Sequence, residues 1–172
     1  MFERSGWALR ALVALPVALG SLALTAPAQA GTSSDESVKE IVRLKSVHSG
    51  KCLVANLSTT PVQDSCDLRS AQWEHDLGRS TFRNTYVNMC LDTNGSKVYL
   101  SKPFARGECN TGDRGQLWRV DTEHLGGYRP YQYVICSQLD GLYSNKAMTF
   151  WDDGTISLVQ KDSSRKQRFL SI

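Results

Sequence analysis

Three short stretches, Ser70–Asp76 (SAQWEHD), Arg114–Val120 (RGQLWRV) and Arg165–Ile172 (RKQRFLSI), each carry a Gln followed at once or after one spacer by a large aromatic residue. The interval is 44 residues from Gln72 to Gln116 and 51 from Gln116 to Gln167. Self-similarity at such a period marks a chain built from stacked structural units, which limits the possible folds more sharply than composition does. Upstream of the first two elements lie KSVHSGKCLVAN and RNTYVNMCLDTN, each with a Cys-Leu pair at a comparable place. Cys52 is followed by Cys66 before Gln72, and Cys90 by Cys109 before Gln116. The pairings Cys52–Cys66 and Cys90–Cys109 would each close a loop inside one repeat, contributing about 3 kcal/mol apiece in the loop-entropy account. The third unit fits when LDGLYS is laid on HSGKCL, which sets Gly141 on Gly50, Tyr143 on Cys52 and Lys161 near the place of the second Cys. Neither half of a third disulfide survives, and Cys136 reads as a free thiol buried in a strand.

Residues 1–30 stand apart from this pattern. Arg4 and Arg10 precede an apolar run, Ala11–Leu24, and Ala28-Gln29-Ala30 offers a small-x-small cleavage site. These are the three parts of a secretory signal. The run is 14 residues long and broken by Pro16, short of the about 20 apolar residues that span a bilayer. The expectation is therefore a signal peptide over 1–30 and a secreted domain over 31–172, with no membrane span. Removing Glu3, Arg4 and Arg10 lowers Lys+Arg from 20 to 18 and Asp+Glu from 17 to 16, a net charge of +2. That balance gives no ground for a nucleic-acid partner, and the basic run Arg165–Arg168 reads as a solvated final strand. All five cysteines lie in the exported part, where oxidation is permitted. None forms a CxxC pair, and His48, His75 and His124 have no zinc-site spacing, so disulfides are expected and no metal or cofactor.

Strand-forming stretches recur throughout: EIVRLKSV, TYVNMCLD, SKVYLS, QYVIC, MTFW and TISLVQ are rich in Val, Ile, Tyr, Phe and Thr. Gly-bearing turns separate them in HSGK, TNGS, LGGY, LDGL and WDDGT. No stretch after residue 30 sustains a helical period over ten residues. An all-β domain of three pseudo-equivalent units follows, over about 38–78, 79–124 and 125–172.

The stretches SGKCL, MCLD, SAQW and GECNTGDRGQLW resemble the ricin B-chain lectin family, over roughly Val38–Ile172. That family repeats a disulfide-closed unit ending in Gln-x-Trp three times and folds as a twelve-stranded β-trefoil. The resemblance implies that Trp73, Trp118 and Phe169 are core residues, and that Gln72, Gln116 and Gln167 brace the lobes by hydrogen bonding. The chain departs from the pattern where Gln72 meets Trp73 without a spacer and where Phe169 replaces Trp.

The resemblance also implies carbohydrate binding. A carboxylate or amide accepts hydrogen bonds from neighbouring hydroxyls while an aromatic face packs on the apolar side of the sugar ring. The family's acid lies two residues after the first Cys, where the three units have Val54, Asp92 and, by the alignment above, Asn145. An Asn usually precedes the closing Gln; here the places hold Ala71, Gly115 and Lys166. No aromatic falls in register before the second Cys, although Tyr99, Phe104 and Trp151 lie nearby. The expectation is one working site in the second repeat, built from Asp92, Asn94, Tyr99, Phe104, Asn110 and Gln116, with a galactose-type sugar among its possible ligands. The competing role for Asp92 is to bond Gln116 or cap the DTNG turn.

No GxSxG, HExxH or phosphate loop appears, and the Asp152–Asp153 pair reads as a β-turn, so the expectation is no enzyme. The alternative is a protein-binding trefoil, as in protease inhibitors or toxin attachment subunits. The Tyr-rich stretch Gly126–Tyr133, with Tyr128, Tyr131 and Tyr133, would supply its contact loop. Sequons at Asn56 and Asn94 matter only in a host that glycosylates exported proteins.

Overall fold

The β-branched run around Arg43 forms two short strands where one was expected: β1 (Lys39–Val42) and β2 (Leu44–Ser46). The break lets one strand serve two sheets. Val42 pairs with Trp73 on one side, while Leu44 pairs with Ser171 on the other. Arg43 stays bonded to Ile172 in both directions, at 3.0 and 3.1 Å. The computed structural model describes residues 37–123 and 130–172. The leader expected over 1–30, and residues 126–129 of the Tyr-rich stretch, lie outside the described residues.

The remaining strands are β3 (Cys52–Val54), β4 (Val62–Asp64), β5 (Trp73–Asp76), β6 (Thr81–Asn84), β7 (Met89–Thr93), β8 (Val98–Ser101), β9 (Trp118–Glu123), β10 (Gln132–Ser137), β11 (Lys146–Phe150), β12 (Ile156–Gln160) and β13 (Phe169–Ser171). One sheet runs β1-β5-β6-β7-β8; the other runs β12-β11-β10-β13-β2-β3-β4, with β9 also paired to β10. Counting β1 and β2 as one interrupted strand, the described strands fall into three successive sets of four. In each set the outer two join a central ring and the inner two form a hairpin: β3–β4, β7–β8 and β11–β12. Between β6 and β9 the ring is joined by Trp118 N donating to Ser80 O at 2.7 Å.

The hairpins are also tied to one another. Leu100 N donates to Thr59 O at 2.6 Å and Leu158 N to Ser96 O at 2.8 Å. At the third junction a side chain replaces the backbone donor: Gln63 Nε2 bonds Trp151 O at 2.8 Å and Thr155 O at 3.1 Å. This is a β-trefoil.

The aromatic residues behind the repeated Gln fill its core as expected. Trp73, Trp118 and Phe169 are buried among Leu53, Leu91, Ile135, Met148 and Phe150. Each Trp also satisfies its indole N–H internally, Trp73 on Leu53 O at 2.9 Å and Trp118 on Leu91 O at 3.0 Å. Phe169 has no such donor and packs edge-on against Phe150, with ring centroids 5.0 Å apart. The disulfides Cys52–Cys66 and Cys90–Cys109 are formed, and Cys136 is free and buried in β10.

Two sequence expectations need correction. A single 3-10 turn precedes each core aromatic, at Arg69–Ala71, Arg114–Gln116 and Arg165–Gln167. Ala71 therefore occupies the place of Gln116 and Gln167, and Gln72, one residue late, does not brace its lobe. In the third repeat Gln167 Nε2 bonds Thr149 Oγ1 at 3.1 Å, as Gln116 Nε2 bonds Asp92 Oδ2 at 3.3 Å. The counterpart of Asp92 is thus Thr149 rather than Asn145, and Ala147 rather than Tyr143 stands at the first Cys. The cause is length: the β10–β11 connection uses 138–145, against 85–88 and 47–51 in the other repeats. Laying one Gly turn on another skipped four residues.

Candidate functional site

In the second repeat, strand alternation and the closing 3-10 turn bring Asp92, Tyr99 and Gln116 together. Asp92 on β7 is opposite Tyr99 on β8, and Gln116 ends the 3-10 turn. Asp92 is only 2% exposed and Gln116 4%. One Asp92 oxygen accepts from Thr93 N at 2.6 Å and the other from Gln116 Nε2 at 3.3 Å. Burial, and then the adjacent Asp92 carboxylate, holds the Tyr99 phenol above its ordinary pKa. Gln116 Oε1 in turn accepts from Asn110 N at 2.8 Å. This is a closed bracket in which buried polar groups satisfy one another.

Gly115 shows how tightly the bracket is shut. A Cβ built there would lie 2.5 Å from both Asp92 Oδ1 and Thr93 O. The Asn that the resemblance implies before the closing Gln has no room in this arrangement, because the Asp92 carboxylate lies where that side chain would start. Asn94 has a different role: it is exposed, and its Oδ1 accepts from Lys97 N at 3.0 Å and Ser96 N at 3.3 Å, forming the β7–β8 turn.

The remaining two candidates face solvent. Phe104, 67% exposed, and Asn110 line a groove of about 380 Å3 together with Arg79, Arg106, Glu108 and Thr111. The loop carrying Phe104 is fixed by its own hydrogen bonds: Phe104 N donates to Glu108 O at 2.7 Å and Gly107 N to Phe104 O at 3.3 Å. Arg83 Nη1 donates to Gly107 O at 3.1 Å. Arg106 sits at the tip with φ +63°, a left-handed conformation that costs a residue with a Cβ about 1 kcal/mol or more. Arg79 pairs with Glu108 and, at 3.8 Å, with Asp76. Sequence reasoning missed Arg79 and Arg106, which no motif connects; only the folded loop brings them to Phe104.

The six residues therefore separate into a buried bracket (Asp92, Tyr99, Gln116), a hairpin tip (Asn94) and an open groove (Phe104, Asn110). The bracket and the groove meet through the Asn110 N to Gln116 bond.

The other lobes differ in kind. The first replaces the Asp–Gln pair by Val54 and Ala71, both buried in one apolar cluster with Cys52. The third presents Trp151, Asp152, Asp153 and Thr155 around an open hollow of about 420 Å3. Asp153 caps its own turn through Thr155 N at 2.9 Å and Thr155 Oγ1 at 2.7 Å, as expected of a turn residue. Asp152 bonds His48 at 2.5 Å and Lys166 at 2.6 Å, contacts that lower its pKa to about 2. Lys166 also lies 5.3 Å from the Trp151 ring centroid. Among the described residues no cluster of His, Cys, Asp and Glu could hold a metal ion, and no helix is long and apolar enough to cross a membrane.

No protein-family model matches the sequence, and no curated protein matches it. Solved structures do match. A designed threefold-symmetric protein, ThreeFoil, aligns with a TM-score of 0.59 at 18% identity, covering 77% of this chain and 97% of that one. The C-terminal half of the earthworm R-type lectin, solved with GalNAc, aligns at 0.55 and 12% identity, covering 77% and 97%. The ricin B-like lectin of Macrolepiota procera, solved with lactose, aligns at 0.56 and 12%, covering 77% and 94%. The shared feature is the fold. At these identities the likeness shows the trefoil and carries no residue role across.

Proposed function

We propose that residues 31–172 form a secreted, non-catalytic carbohydrate-binding domain whose working surface lies on the second repeat. The observation that carries this reading is the groove in which an exposed Phe104 ring stands beside Asn110 and Thr111. An aromatic face with amide and hydroxyl groups at its edge is the combination that a sugar ring, apolar on one side and polar at its rim, requires. Asp92, Tyr99 and Gln116 serve this surface from beneath, since Gln116 holds the Asn110 backbone. The trefoil neighbours solved with GalNAc and lactose support the ligand class, and a galactose-type sugar is one candidate within it.

The test is a glycan array probed with the oxidised, exported chain and with Phe104→Ala. Phe104 is exposed, so its truncation should leave the unfolding midpoint unchanged while reducing saccharide-displaceable binding at least about tenfold, a loss of roughly 1.4 kcal/mol. Folded protein that binds no glycan would overturn the reading. A second reading, attachment to a protein, draws on Leu142 and Tyr143, 55% and 89% exposed in the long 138–145 connection. It is separated from the first by binding that free saccharides do not displace.

A further inference from the structure

Within the second-repeat groove the charged groups are not equivalent. The Arg79 guanidinium is engaged by Glu108 and Asp76, and Arg83 by Glu74, Asn88 and the Gly107 carbonyl. Arg106 takes part in no ion pair or side-chain hydrogen bond found among the described residues. It is also one of three non-glycine residues with positive φ among the described residues, and the next residue, Gly107, is left-handed too at φ +77°. Glycine would occupy position 106 without strain. Instead a long cationic side chain stands there, at the tip of a loop held by the Phe104, Glu108 and Arg83 hydrogen bonds, with Phe104 on the same groove wall.

A guanidinium fork without a partner, beside an aromatic ring and next to amide and hydroxyl groups, matches a ring that bears a carboxylate. The planar fork takes both carboxylate oxygens at once, the ring's apolar side rests on Phe104, and Asn110 and Thr111 meet the hydroxyls. A neutral sugar offers Arg106 only uncharged acceptors, without the charge assistance of a carboxylate. Resting on the carbohydrate-binding reading above, we infer that this groove selects acidic saccharides, those bearing a uronic or sialic acid carboxylate, with Arg106 as the anion-binding group.

The deciding variant is Arg106→Gly, which removes the charge at a backbone position where glycine is at ease, so the fold is retained and the unfolding midpoint holds or rises. Arg106→Lys keeps the charge without the fork. Binding of glucuronate-terminated, sialyl-terminated and neutral galactose-terminated oligosaccharides is measured by calorimetry on the oxidised chain at low and high salt. The expected result is an acidic preference of at least about tenfold that weakens with salt, as for a partly exposed charge pair. Arg106→Gly should abolish that preference, and Arg106→Lys should keep part of it. Acidic binding that survives Arg106→Gly, or equal binding of neutral and acidic sugars by the wild type, overturns the inference while the lectin reading stands. If folded wild type binds no saccharide, both fall.

Discussion

Replacing Asp92 by Val and Gln116 by Ala would copy into the second repeat the Val54 and Ala71 that the first repeat carries at the same places. The single changes should be costly. Asp92→Val strips Thr93 N of an acceptor at 2.6 Å and Gln116 Nε2 of one at 3.3 Å, leaving that nitrogen only a 3.4 Å contact with Asp113. Gln116→Ala leaves a buried carboxylate with one donor fewer and Asn110 N without its 2.8 Å acceptor. Hydrogen bonds to charged groups and orphaned buried donors each run to about 1.5–3 kcal/mol, so either single change should cost about 2–3 kcal/mol. Together the two changes remove both partners of the Asp92–Gln116 bond. A backbone solution also exists for Thr93 N, because its counterpart Ala55 N donates to Ser70 O at 2.9 Å in the first repeat. The double variant should therefore fall short of the summed singles by at least about 1 kcal/mol. Urea unfolding with the disulfides intact, followed by the fluorescence of buried Trp73 and Trp118, measures all four proteins of the cycle. Additivity within about 0.5 kcal/mol would refute the idea that Asp92 and Gln116 form one bracket.

Three further outcomes follow from other parts of the molecule. Asp121 is held by Arg119 at 2.6 Å and Lys161 at 2.9 Å, with its pKa lowered from 3.8 to about 2, chiefly by the Arg119 hydrogen bond. Its folded value lies below the unfolded one, so this contribution is complete above about pH 4 and lost as pH falls through about 2; Asp121→Asn should flatten urea-measured stability across that window. Cys136 is fully buried and its thiol is pushed up to about 11, mainly by burial, so a disulfide-exchange reagent should label it only after unfolding; fast labelling of the native chain would contradict the placement. Finally, Ala147→Cys with Lys161→Cys should restore a third disulfide, since 147 and 161 are separated by the same 14 residues as Cys52 and Cys66. It should add about 3 kcal/mol by loop entropy, less the lost Lys161–Asp121 pair; Cys136→Ala belongs in that background because Cys136 faces Ala147 across the strands. Mass mapping under oxidising conditions reports the bridge.

Much of the fold was legible because its signals are local and repeat. Two Cys pairs and two Cys-Leu starts recur in the first two repeats, and a buried aromatic stands after the closing 3-10 turn of all three. The misreadings came where the chain kept a motif's letters but moved their place. Gln72 touches Trp73 directly, so the position two before the aromatic falls to Ala71, and a Gln that looked like a brace became a bystander. In the third repeat the connection that carries Gly141 runs on for four more residues before β11 is in register, and laying its Gly turn on that of the first repeat hid Thr149. The site was harder still. Asp92 could be found by spacing from Cys90, but spacing does not report burial, and of the two roles open to the residue the structure shows the bond to Gln116. Arg79 and Arg106 lie in different connections, 27 positions apart, and only the ring of strands places them on one wall.

The reciprocal bonds between Arg43 and Ile172 have a consequence for how the molecule comes into being. The strand that leaves one sheet and enters the other is completed by Phe169–Ile172, which a ribosome makes long after it. Until those residues emerge, the ring has an open flank and exposes core aromatics. The disulfides at 52–66 and 90–109, by contrast, are local and need nothing downstream of residue 109. Under oxidising conditions the first two lobes can be locked early, whereas closing the barrel waits on Phe169–Ile172.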